Sequence, residues 1–241
     1  MKRTVRIIIS LLALTSVFST SGSGTVLAQE SEFNEEESIG ESIYDYFSVE
    51  EIERTEADLV EIGLKKAGYY STAKQSRNGS QTQYTTGEWD WRDGLICITE
   101  SNVSGAFNNG HAGIMGVEPD YYMTYEANPG TGVSAKNGNY PTRFPGKNVW
   151  QVGVTNTTVA QDAAAATWAG NQIGKSYGFP VALSNRNKFY CSHLVYAAYL
   201  DVTGVNLDTS AFPGFIHPFE LFASPETTVT YLRYLHDVTF S

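Results

Sequence analysis

The chain has 241 residues, 41% of them hydrophobic, and a formal net charge of −10. That is enough apolar material for one sizeable core, and the acidity excludes nucleic acid and anionic membrane surfaces as partners. Half of the 26 acidic residues fall within residues 30–61, so the charge says little about a substrate of the remainder.

The N-terminus reads Met1-Lys2-Arg3-Thr4-Val5-Arg6, then the apolar run Ile7–Leu14, then small polar residues ending in Val26-Leu27-Ala28. A basic start, a short apolar core and a small residue at the exit describe a secretory signal peptide. The apolar run is too short for a membrane span. Cleavage is expected near Ala28, which would remove Lys2, Arg3 and Arg6 and no acid, moving the charge from −10 to −13. The product is expected to be secreted or held at the cell surface.

Residues 29–87 form an acidic extension. Its first part lacks periodicity and reads as disordered. Ser48 with Glu51 three residues on is a capping box, and Ile52, Leu59, Ile62 and Leu64 give the helix it opens an apolar stripe to about Lys66. That helix fits a covering prosegment or a spacer equally well. Residues 71–88, rich in Ser, Gln, Asn and Thr, read as a linker.

From residue 88 to 241 the texture is that of one domain. Strands are predicted over Leu95–Thr99, Ala112–Val117, Tyr121–Ala127 and Val149–Val154. Pro119-Asp120 turns the second into the third as a hairpin. An alanine-rich helix follows over Val159–Ile173, capped by Thr158 and stopped by Gly174. A further helix opens near Tyr190 and ends at Gly204. A short helix near Phe219–Ala223 and a strand over Thr228–Leu235 complete an α+β domain with an antiparallel core.

Cys191 lies at the start of the helix beginning near Tyr190. Unpaired N–H groups and the positive end of the helix dipole favour thiolate there. Cys97, inside the apolar run Leu95–Ile98, reads as a small buried residue. In an exported chain the competing reading is a Cys97–Cys191 disulfide. Of the four histidines, His217 and His236 read as structural, and His193, two residues beyond Cys191, should point away from it. His111, among glycines at a strand start, is the candidate base. Along the next strand, alternation places Tyr122, Thr124 and Glu126 on one face. Pairing about the 118–120 turn sets His111 opposite residue 127, and a register slip of one residue brings Glu126 beside it. A carboxylate there would fix the imidazole's tautomer. Cys97, Cys191, His111 and His193 lack the short spacing of structural zinc sites, so neither metal nor cofactor is expected.

The segments Asp93-Gly94-Leu95-Ile96-Cys97-Ile98-Thr99, Gly110-His111-Ala112-Gly113-Ile114, Tyr125-Glu126-Ala127 and Tyr190-Cys191-Ser192-His193-Leu194-Val195 occur in this order. Together they resemble the circularly permuted, YiiX-like branch of the NlpC superfamily, papain-fold cysteine hydrolases in which the histidine strand precedes the cysteine helix. The resemblance covers about residues 88–225. It implies a permuted papain-like fold with Cys191 as nucleophile, His111 as base and Glu126 as third member. Two positions depart from the branch: Gly94-Leu95 stands where Gly-Asp is usual, and His193 where many members carry a carboxylate.

The resulting expectation is a secreted cysteine hydrolase that cleaves an amide, with cell-wall peptides as substrate. The backbone N–H groups of Cys191 and Ser192 would form the oxyanion site. Trp89, Trp91, Tyr121, Tyr140 and Tyr190 are expected to line the cleft. Two rivals share the residues: a lipid or ester acyl hydrolase or acyltransferase similar to lecithin:retinol acyltransferase, and a non-catalytic surface-binding domain held by the disulfide.

Overall fold

The computed structural model describes residues 42–69, 83–103, 107 and 110–235. The expected signal peptide and His236 lie outside these residues. Helix α1 spans Val49–Lys66, and its N-terminus is closed by the Ser48–Glu51 capping box. The helix docks on the domain, with Ile52, Leu59 and Leu64 buried in the main core. Strand β1 (Tyr84–Gly87) falls in the stretch read as a linker. Its side chains alternate in burial without a hydrophobic run, so the sequence pattern is weak and the strand exists through its partner.

The remaining strands are β2 (Ile96–Thr99), β3 (His111–Met115), β4 (Met123–Asn128), β5 (Gly132–Asn137), β6 (Val149–Val154), β7 (Ser176–Tyr177), β8 (Lys188–Phe189) and β9 (Thr227–Tyr234). The helices are α2 (Tyr140–Arg143), α3 (Val159–Gly170), α4 (Cys191–Thr203) and α5 (Pro218–Ala223). Among the described residues, seven strands form one sheet in the order β1-β9-β6-β2-β3-β4-β5. Every pair in it is antiparallel. The short β7 and β8 pair in parallel beside it.

One face of the sheet presents Ile96, Ile98, Ala112, Ile114, Tyr125, Ala127, Trp150 and Val152 to the helices. Alanines 165, 166 and 169 of α3 and 197 and 198 of α4 let these helices lie close to that face. The other face carries Leu95, Cys97, Met115, Val149 and Tyr231 beneath Tyr140, with Trp89, Trp91 and Phe144 around them. The period-two alternation of strands thus feeds two layers. The chemistry of His111 and Glu126 belongs to the second, smaller one.

Local signals account for several boundaries. Thr158 and Gln161 form a capping box at α3. Gly204, at φ 75°, closes α4 in the left-handed conformation that glycine adopts without strain. Helix α3 ends at Gly170, short of Ile173, where the chain turns to lead into β7. Strand β5 was not anticipated, because Gly132-Val133-Ser134-Ala135-Lys136-Asn137 has too little apolar alternation to stand out. It lies at the sheet edge, where a strand needs one partner only.

Candidate active site

The β3–β4 register pairs Ile114 with Tyr125 and Met115 with Thr124. Continued by one step it sets Gly113 opposite Glu126. This is one residue from the pairing inferred about the 118–120 turn, but in the opposite sense to the slip that would set Glu126 beside His111, and it puts His111 diagonally across from Glu126 on a shared face. The carboxylate reaches the ring by crossing over Gly113. A Cβ at that position would meet Glu126 Cγ at 2.7 Å, Tyr140 Oη at 2.8 Å and Thr124 Cβ at 3.2 Å. A glycine inside a strand is a signal of close approach, and it was present in the sequence two residues after His111.

His111 Nε2 lies 2.8 Å from Glu126 Oε2. That occupies Nε2 and leaves Nδ1, which has no hydrogen-bond partner among the described residues, available to a thiol. Helix α4 packs against β3, and the Cys191 sulfur at its start helps to raise the imidazole's pKa. Burial by itself would hold the His111 pKa down. The Glu126 carboxylate and then the Cys191 sulfur override it and push the ring up to about 9. His111, Glu126 and Cys191 are all fully buried.

Glu126 is the hub of the site. Burial opposes its charge, but the imidazole of His111 and the guanidinium of Arg143 hold the carboxyl well below the usual carboxylate range. Arg143 Nη1 and Nη2 donate to Oε1 at 2.6 Å and Oε2 at 3.1 Å, a two-pronged contact. Thr124 Oγ1 donates to Oε1 at 2.6 Å, Tyr140 Oη to Oε1 at 2.9 Å, and Asn128 Nδ2 to Oε2 at 3.5 Å. Burial and then the nearby carboxylate push the Tyr140 phenol well above its usual range, so it keeps its proton and donates. A buried carboxylate this well supplied with donors stays ionised and still.

Arg143 escaped the sequence reading. It sits on α2, 17 residues beyond Glu126, and reaches back over the sheet. The readable trace of that turn is Asn139, whose side chain accepts from the Thr142 N–H at 3.2 Å, followed by Pro141. Tyr140 and Tyr190, expected along a substrate cleft, are fully buried. Tyr140 supports Glu126, and Tyr190 Oη accepts from the Ile216 N–H at 3.0 Å. Both hydroxyls are thus engaged within the core. Trp89 stacks on Tyr140 with ring centres 6.0 Å apart. Trp91 packs edge-on against Tyr122, and Tyr121 is exposed.

The other candidates fall away from the triad. Cys97 lies opposite Gly113 across β2 and β3, with Gln151 Nε2 donating to its sulfur at 3.7 Å. Burial pushes this thiol far above its ordinary range, which makes it a poor nucleophile. No disulfide joins Cys97 to Cys191, so the bridged surface-binding domain is not what the chain forms. His193 points to the turn before β8, its Nε2 3.1 Å from the Leu183 carbonyl. Burial lowers its pKa to about 4, leaving it neutral. Tyr190 makes no side-chain cap on α4, so the cap residue's side chain does not satisfy the first-turn N–H groups. Among the described residues no group of three His, Cys, Asp or Glu side chains converges as a metal-ligand set.

Residues 97–214 match the family described as "Permuted papain-like amidase enzyme, YaeF/YiiX, C92 family". This match, over residues in an α+β architecture, supports a permuted papain-like, YiiX-like family for the chain. A solved structure that is similar is that of the metalloprotein yiiX from Escherichia coli O157:H7, at 17% identity. The match covers 58% of this chain and 97% of that one, with a TM-score of 0.46. No curated protein matches the chain.

Proposed function

We propose that the protein is a thiol hydrolase of amide bonds in which Cys191 attacks, His111 carries the proton and Glu126 orients His111. The observation that carries this reading is the imidazole bound through Nε2 to an ionised, immobilised carboxylate, with Nδ1 left for the thiol. The matched family's description as an amidase supports the same bond class.

In the resting pair the Cys191 proton already sits on His111 Nδ1, and in the first half-reaction the thiolate sulfur adds to the substrate carbonyl carbon. The first-turn N–H groups of α4 at Cys191 and Ser192 stabilise the oxyanion. Collapse breaks the C–N bond, and the departing amine takes the proton from His111. Water then gives a proton to His111 and its oxygen to the acyl carbon. The C–S bond breaks, the acid leaves, and the thiolate–imidazolium pair is restored with the proton from water on His111. Because His111 is pushed up to about 9, it is an imidazolium near neutrality, ready to serve as acid to the leaving amine.

Cell-wall peptides are the proposed substrate and export the proposed setting, resting on the N-terminal pattern of residues 1–28. The test is hydrolysis of muropeptides by wild type and Cys191→Ser, with iodoacetamide labelling and peptide mapping. Release of a new amine by wild type only, with labelling at Cys191 and not Cys97, is expected. Equal activity of the two proteins refutes the reading. An acyl thioester formed from phospholipid, with peptides untouched, would replace it with the acyltransferase chemistry.

A further inference from the structure

One short segment contacts the residues that flank both halves of the proposed catalytic pair, and it is held from outside by the N-terminal extension. Ser192 Oγ donates to the Ile216 carbonyl at 2.6 Å, and the Ile216 N–H donates to Tyr190 Oη at 3.0 Å. These contacts grip the residues on either side of Cys191. The next residues, Pro218 and Phe219, lie against Gly110, where a Cβ would stand 3.2 Å from Pro218 and 3.3 Å from the Phe219 ring. Gly110, at φ +102°, is the residue before His111. Residues 216–219 therefore contact the chain neighbours of both the nucleophile and the base.

His217 lies in the middle of this segment, fully buried. Its Nδ1 accepts the Phe219 N–H at 3.1 Å and so carries no proton. The proton is on Nε2, which donates to Glu56 Oε1 of α1 at 3.1 Å. Glu56 is itself 5% exposed, and a buried carboxylate accepting such a bond is costly to leave without its donor. Ten residues along α1, about 15 Å at the helical rise, Lys66 Nζ donates to the carbonyls of Phe222 and Ser224 at 2.9 and 2.6 Å and to Thr227 Oγ1 at 2.8 Å. Helix α1 thus holds α5 at both ends. Between them Gly63 is flush with the Phe222 ring, which a Cβ would meet at 2.2 Å.

We infer that α1 is a brace for the catalytic pair: the Glu56–His217 hydrogen bond fixes residues 216–218, and through them the mutual placement of Cys191 and His111. Glu56 and His217 are positioning residues. The extension in this view promotes the reaction rather than covering the site as an inhibitory prosegment, an inference that rests on the proposed thiol chemistry.

The experiment uses the full chain with Glu56→Ala, His217→Asn and the double variant. Asparagine can still cap α5 through its side-chain oxygen but cannot reach Glu56. Each protein is measured for thermal midpoint, for kcat and KM on peptide substrate, and for the rate of Cys191 alkylation by iodoacetamide well below the midpoint. Expected are folded variants with kcat and alkylation rate each at least 10-fold down, KM nearly unchanged, and the double variant no worse than the singles. Lowered midpoints with wild-type kcat and alkylation would show a purely structural bond and overturn the brace. A rise in kcat would overturn it in favour of an inhibitory α1. A wild-type thiol no more reactive than free cysteine would instead overturn the thiol chemistry and the brace with it.

Discussion

Gly113→Ala alters no ionisable group, yet it should disable the site. The added methyl would stand 2.7 Å from Glu126 Cγ and 2.8 Å from Tyr140 Oη, whereas carbon atoms rest at about 3.5–4.0 Å. Glu126 must therefore retreat by about 1 Å, or β3 must part from β4. The carboxylate cannot retreat freely, because Arg143, Tyr140 and Thr124 hold it. Moving it lengthens the 2.8 Å bond to His111 beyond hydrogen-bonding range. Overpacking of this kind costs about 1–3 kcal/mol, or roughly 2–12 °C in midpoint for a domain of this size. A misplacement of about 1 Å at a reacting group costs on the order of 100-fold in rate. The assay is kcat/KM on peptide substrate beside a calorimetric melt. Gly130→Ala is the control. Nothing lies within 4 Å of its Cβ, and its φ of +73° makes the substitution cost stability without touching the site. Activity of Gly113→Ala within about threefold of wild type would refute the crossing of Glu126 over Gly113 as the basis of the His111 contact.

Arg143→Met should lower kcat by about 10-fold or more, since Glu126 loses its two-pronged partner, and Arg143→Lys should recover only part because ammonium lacks the planar fork. Steady-state kinetics check both. Stability should depend on pH on both sides of neutrality. His111 is raised from an ordinary 6.5 to about 9, so its contribution is complete below about 6.5 and is lost as pH rises through about 9. Glu126 is lowered from 4.5, so its contribution is present above that value and is lost as pH falls further. The alkaline loss is bounded at about 3 kcal/mol. Urea melts across pH should show it, and in Glu126→Gln the alkaline fall should move to lower pH.

Much of the frame was legible in local chemistry. The capping boxes at Ser48 and Thr158 mark helix starts because a side chain satisfies N–H groups three residues away. Strand β6, Val149-Trp150-Gln151-Val152-Gly153-Val154, is rich in β-branched and aromatic residues over a strand's length. The face shared by Thr124 and Glu126 follows from alternation alone. The register of β3 on β4 did not follow: a turn fixes pairing only to within a residue, and packing of both sheet faces settles the rest. Nor did the burial of Tyr140 and Tyr190, since an aromatic beside a site reads the same whether it faces solvent or supports a carboxylate.

Residue type and local placement were enough to single out Cys191 at a helix start, His111 on a strand and Glu126 on the next. Each signal acts within a few residues along the chain. Tertiary structure decided the company these residues keep: the space above Gly113, the guanidinium of Arg143 arriving from α2, and the hold of α1 on His217. The last two contacts join segments 17 and 161 residues apart. Only the packed chain brings such groups together, and there burial makes each unmatched charge or donor costly enough to set one arrangement above the others.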